Sequence, residues 1–207
     1  MVGQSLGIFL FSAVVISLSG VLSPGPMTAA VVGQGGRSRL AGLYVSLGHG
    51  AVEMPLIALI FFGAGDLLAH HWVRVLVGAA GGIYLLFMGK GLLGAHGGPK
   101  APEGRGASSV TAGVVLSVGN PYFLLWWATV GVGLVTGAAG FGLKGLLLFA
   151  LVHWLTDLIW LSVLSVASHK GMKAFGAGRK VSVVCGLALI FYGGLFLYGS
   201  LKMALWG

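Results

Sequence analysis

LAGLYVSLGHGAVEMPLIALIFFGAG, residues 40–65, is an unbroken apolar run that carries one acid, Glu53, and one histidine, His49. A helix of about 20 residues is enough to cross roughly 30 Å of hydrocarbon, so this run spans a membrane with residues to spare. It lacks the polar–apolar alternation of a membrane strand. Lipid offers no partner to a backbone amide, and a helix satisfies every N–H and C=O internally. Similar stretches lie at 5–33, 72–95, 110–137, 143–168 and 181–204. The composition agrees: 57% of the 207 residues are hydrophobic, 8% are charged, and the mean hydropathy is +0.99. A soluble domain carries about 25% charged residues, and one of this size could not hide so much apolar surface from water. The sequence predicts an all-α integral membrane protein with six transmembrane helices. The first stretch has no Lys or Arg before it and no small-x-small cleavage site, so it reads as a span rather than a secretory leader. The single Cys185 excludes a disulfide framework, a Cys-rich zinc site and two-thiol redox chemistry.

The few charges are sorted by side. Arg37 and Arg39 follow the first span, Lys90, Lys100 and Arg105 the third, and Lys170, Lys173, Arg179 and Lys180 the fifth. Only Arg74, Lys144 and Lys202 fall on the opposite side. The positive-inside bias predicts a multi-pass protein of the cell (inner) membrane with basic loops in the cytoplasm and both termini outside. This sorting accounts for the net charge of +8, so membrane lipid and not nucleic acid is the expected neighbour.

The chain also repeats. His49-x-x-x-Glu53 of the second span and His153-x-x-x-Asp157 of the fifth are displaced by 104 residues. The same displacement carries Gly82, Leu85, Phe87 and Gly89 onto Gly186, Leu189, Phe191 and Gly193. Near the front of each half lies a proline-centred break, Ser23-Pro24-Gly25-Pro26 and Gly119-Asn120-Pro121. The sequence divides into a first repeat (1–95), a cytoplasmic linker (96–109) rich in Gly and Pro, and a second repeat (110–207). Three spans per half is an odd number, so the halves cross the membrane in opposite senses, as inverted-topology transporter repeats do.

Of four acidic residues, Asp66 and Glu103 fall in connections, while Glu53 and Asp157 sit near mid-membrane. A carboxylate there costs about 2.5–3.5 kcal/mol on insertion scales, a cost that passive packing does not require. Each has a histidine four residues earlier, on the same helix face, placed to hold its hydrogen bond or pass it a proton. His49, Glu53, His153 and Asp157 are therefore the candidate proton relay.

Pro-Gly-Pro cannot remain in a regular helix. The first span should stop near Ser23 and restart near Met27, leaving free N–H groups at a positive helix end. In the fourth span Asn120 suits the cap and Pro121 the first helical position. Such ends can accept a substrate carboxylate. Pro24, Gly25, Pro26, Met27, Asn120, Pro121 and Tyr122, with Glu53 and Asp157, are the candidate substrate-binding residues. Tyr122, Phe123, Trp126 and Trp127 read as lipid-facing or core aromatics, with a cavity wall as the alternative. Trp72 and Trp206 suit an interfacial belt.

These motifs resemble the lysine exporter (LysE/RhtB-type) family of amino-acid exporters. The resemblance rests on Ser23-Pro24-Gly25-Pro26, Gly33-Gln34-Gly35-Gly36-Arg37, Gly48-His49-Gly50-Ala51-Val52-Glu53 and Gly119-Asn120-Pro121, together with length and span count. It implies proton- or gradient-driven amino-acid export, with Pro24, Gly25 and Pro26 as the functional break, Glu53 as the span-two acid and Asn120-Pro121 as the second break. The family's acid is usually Asp, His49 is not part of its pattern, and the residues after Pro121 differ. The expectation is a secondary active exporter of amino acids or small zwitterions working by alternating access. It would not be an enzyme, would need no cofactor or resident metal, and is open to homodimer formation. The alternative is a divalent metal-ion exporter using both His/carboxylate pairs, since two imidazoles and two carboxylates suit such an ion. An assembly factor or intramembrane enzyme is a third class, but no serine nucleophile sits at a convincing sequence offset from the histidines.

Overall fold

The Pro-Gly-Pro stretch breaks the first span where its chemistry requires. Helix α1 (Leu6–Val21) ends just before it, α2 (Pro26–Gly35) begins within it, and their axes bend by 78°. The computed structural model describes residues 5–23, 25–63, 70–94, 105–175 and 178–206; Pro24, Asp66, Lys100 and Glu103 lie outside them. After α2 come α3 (Ala41–Phe61), α4 (His71–Gly94), α5 (Arg105–Val118), α6 (Pro121–Ala139), α7 (Gly142–Phe175) and α8 (Gly178–Trp206). Within α6, residues Trp127–Gly131 form one π turn. Among the described residues there is no strand. Helices α3, α4, α6, α7 and α8 are each long and apolar enough to span a membrane, and the bent pair α1–α2 makes a sixth. The protein is a multi-pass helical membrane protein, and its outward-facing side chains, Phe11, Phe87, Ile159 and Phe191 among them, are apolar as lipid contact requires.

The linker expected over 96–109 is shorter than its composition suggests. Residues 96–104 lie outside the described ones, but α5 already begins at Arg105. Gly106 lies against the Tyr44 ring, and buried Ser109 donates to Gln34 Oε1 at 2.7 Å. Polar residues that read as a linker are the first turns of a packed helix.

Packing joins the two halves of the chain more than it joins either half to itself. The broadest contact is between α4 and α8. A Cβ at Gly82 would stand 2.9 Å from the Gly193 carbonyl, and one at Gly193 2.9 Å from the Gly82 carbonyl; Gly89 and Gly186 face each other in the same way at 2.7 and 3.0 Å. The two helices are antiparallel at this crossing, and only glycine lets their backbones approach so closely. Helix α3 is covered by α5, with Gly48 pressed on the Val110 carbonyl and Gly113 on the Val45 carbonyl. Helix α7 is covered in turn by α1 and α2, with Gly42 of α3 and Gly35 of α2 against its backbone at Leu161 and Ser165.

The basic turns meet at one end of the bundle: Arg37 and Arg39 after α2 share a surface pocket with Lys170 and Lys173 at the end of α7. Trp72 and Trp206, at the ends of α4 and α8, are exposed.

Candidate functional site

The interface between the halves buries four ionisable groups together. His49 and Glu53 face inward from α3, His153 and Asp157 from α7, and all four are buried. His49 Nε2 and His153 Nε2 each lie 3.1 Å from the same carboxylate oxygen, Glu53 Oε1. Asp157 Oδ2 stands further off, 3.9 Å from His49 Nε2 and 4.0 Å from His153 Nε2. Glu53 Oε2 is buried without a hydrogen-bond partner.

Two serines, which the sequence did not single out, hold the imidazoles from behind. Ser17 Oγ is 2.6 Å from His153 Nδ1, and Ser117 Oγ is 2.7 Å from His49 Nδ1. Each serine also donates to the carbonyl four residues earlier, Ser17 to Ala13 and Ser117 to Gly113, both at 2.6 Å. A hydroxyl has one hydrogen, so each serine oxygen must accept from the imidazole Nδ1–H. This also answers the question of a nucleophile: a serine–histidine–carboxylate chain exists twice, but a nucleophilic serine has to give its proton to the histidine. Here both hydroxyls are fully buried and give it to their own helices.

Hydrogen counting then constrains the centre. For both 3.1 Å contacts to be hydrogen bonds, each needs a proton, and Oε1 can carry only one. Either both imidazoles are charged beside a carboxylate, or one is charged beside a neutral acid and a neutral imidazole. Both arrangements give His49, His153 and Glu53 together one positive charge, which an ionised Asp157 balances.

Aromatic rings enclose this centre. Trp126 stacks on the His153 ring at 5.5 Å between centroids and Trp127 meets it edge-on at 5.2 Å, while Phe123 meets His49 edge-on at 5.3 Å. A π turn often marks a functional site, and the one in α6 begins at Trp127, where Gly131 leaves room for that ring. The aromatic cluster that read as core or lipid-facing therefore does two jobs: Trp126 and Trp127 are core residues, and all four aromatics line a cavity.

That cavity has a volume of about 290 Å³ and reaches both breaks, with Gly25, Pro26, Met27, Asn120 and Tyr122 on its wall beside His49, Glu53, His153 and Asp157. The breaks differ. Asn120 is the cap of α6, and its Oδ1 takes the Tyr122 N–H at 3.0 Å, with Pro121 at the first position. Helix α2 begins after extended Gly25, has Pro26 in its first turn and receives no side-chain cap. The first backbone bond it makes with Gly25 is from Ala29, so the N–H groups of Met27 and Thr28 are the ones an α-helix start leaves without a helical partner.

Residues 18–200 match the family model described as LysE type translocator. The chain belongs to the LysE type translocator family. A search of curated proteins found no match, and neither did a search of solved structures. The site of this translocator joins the candidate residues the sequence pointed to, except Pro121, which opens α6 between two lining residues without lining the cavity itself, and Pro24, which lies outside the described residues. Ser17 and Ser117 escaped because they are displaced by 100 residues, not 104. They also lie 136 and 68 residues from the histidines they hold.

Proposed function

We propose that this translocator exports amino acids or closely related small zwitterions, coupled to protons, by alternating access between two inverted three-helix repeats. The observation that carries the reading is the coincidence of three chemistries in one cavity: an uncapped helix start, a carboxylate free of close hydrogen bonds, and a buried imidazole–carboxylate centre. The substrate carboxylate binds the positive end of α2 at Met27 and Thr28, as broken helices of transporters bind anionic groups. The Asn120 break, whose Tyr122 N–H is already taken, shapes the wall. The substrate ammonium binds Asp157. Glu53 with His49 and His153 carries the coupling proton, bound at an Nε2 or Oε1 from one side and released to the other; while bound it can shift between Nε2 and Oε1 with the charge of the trio unchanged. The glycines related by the 104-residue displacement, Gly82 with Gly186 and Gly89 with Gly193, meet crosswise, Gly82 on Gly193 and Gly89 on Gly186, which supports the inverted repeats. The basic turns at one end of the bundle support the orientation with that end cytoplasmic, both termini outside, in the inner membrane.

The test is proteoliposomes loaded with mixed amino acids and cations under an imposed proton gradient. Efflux of amino acids, abolished in Glu53→Gln, is the expected result; undiminished efflux from that variant would remove Glu53 from the scheme. A divalent cation as cargo is the second reading, supported by ligand atoms of His49, Glu53 and Asp157 that all lie within 4.8 Å of one another. Cation efflux with amino acids retained would establish it.

A further inference from the structure

The walls of the cavity bear on which amino acids it takes. It lies where three apolar clusters of the bundle meet: Phe123 and Trp126 come from the first, Tyr192 and Phe196 from the second, and Leu161 from the third. Apart from the four groups of the buried centre, no lining residue among the described ones is charged. Within that centre the charges are already matched, two imidazoles against two carboxylates, and Glu53 Oε1 is held by both imidazoles. Once Asp157 has met the α-ammonium and the start of α2 the α-carboxylate, no acid is left for a cationic side chain and no base for an anionic one. The wall's polar side chains Ser23, Thr28, Asn120 and Tyr122 stand at the two helix breaks, whereas a polar side chain placed against Phe123, Trp126 and Phe196 would lose its water to rings that offer it no acceptor, which is unfavourable. The volume, about 290 Å³, is at the lower end of the roughly 300–1,000 Å³ of ligand pockets, which suits one amino acid rather than a peptide.

We infer that the side-chain subsite is built for a neutral, apolar amino acid of leucine, methionine or phenylalanine size, and that lysine, arginine, glutamate and serine are poor substrates. This rests on the proposed amino-acid export. Hydrophobic pockets discriminate by about tenfold or more per methylene, so leucine is expected to exceed alanine by at least that factor.

Counterflow tests it. Proteoliposomes are preloaded with one unlabelled amino acid from a panel, and uptake of labelled leucine is followed. Leucine, methionine and phenylalanine inside should drive uptake at least tenfold above lysine, glutamate or serine. In detergent the same three should change tryptophan emission, a change reduced in Trp126→Phe, because that ring lines the cavity together with Trp127. If labelled lysine or serine enters as fast as leucine in the unaltered protein, the subsite assignment is wrong and export stands. If no amino acid drives or undergoes exchange, amino-acid export itself falls and takes this inference with it.

Discussion

Glu53 Oε1 lies 3.1 Å from both imidazoles, whose far nitrogens are held by Ser17 and Ser117. Removing either hydroxyl leaves a buried Nδ1–H without an acceptor, a cost of about 1–3 kcal/mol. Ser17→Ala and Ser117→Ala are each expected to lower the melting temperature in detergent, with proton-driven export falling as the ring loses its orientation. An unchanged melting temperature in both would mean the serines hold nothing. Asp157 is assigned a different part from Glu53. Losing a hydrogen bond to a charged group costs about 1.5–3 kcal/mol, so Asp157→Asn is expected to raise KM roughly tenfold to hundredfold. Initial-rate measurements over a range of internal substrate concentrations decide it, and a loss confined to kcat would place Asp157 in coupling instead.

At the scale of elements, the breaks and the glycines have separate roles. Asn120 and Pro121 end one helix and cap the next, and both roles follow from local chemistry: a side-chain acceptor for the first free N–H, and a ring whose missing N–H costs nothing there. The glycines act by allowing contact. A Cβ on Gly48 would overlap the Val110 carbonyl, whereas one on Gly133 would meet nothing within 4 Å. Overpacking costs about 1–3 kcal/mol, and Gly to Ala in an open helix position gains up to about 1 kcal/mol. Gly48→Ala is expected to lower thermal stability and Gly133→Ala to hold or raise it. Equal effects from the two, read as melting temperatures in the same detergent, would mean that α3 and α5 are not in backbone contact.

At the scale of the whole molecule, each half supplies what the other lacks. Helix α5 of the second half covers α3 of the first, α1 and α2 cover α7, and α4 crosses α8 through paired glycines. Each histidine is held by a serine from the opposite half. Cutting the chain within 95–104 therefore separates two pieces with unpaired polar groups. Either piece alone is expected to be degraded, and co-expression of both to restore a complex that co-purifies and exports. Recovery of a stable single half would show that cross-half packing is dispensable.

The sequence by itself determined the number of spans, both proline breaks and the two His/acid pairs. These depend on short-range physics: the apolar length needed to cross lipid, the missing proline N–H, and the four-residue pitch that sets His beside acid. The family was legible for the same reason, since its motifs lie in contiguous stretches. Only the tertiary structure decided that Glu53 takes both imidazoles while Asp157 stands apart, because those distances are set between α3 and α7, 100 residues apart along the chain. The serine supports were hidden by an offset that differs from the repeat's, and the aromatics after Asn120 had no assigned face until packing and a π turn placed them. The early start of α5 was obscured by composition, since Ser108 and Ser109 resemble a linker until Gln34 and Tyr44 of the first half come against that helix. Local chemistry decides where a chain breaks and what it can bond, and long-range packing decides which of those groups meet.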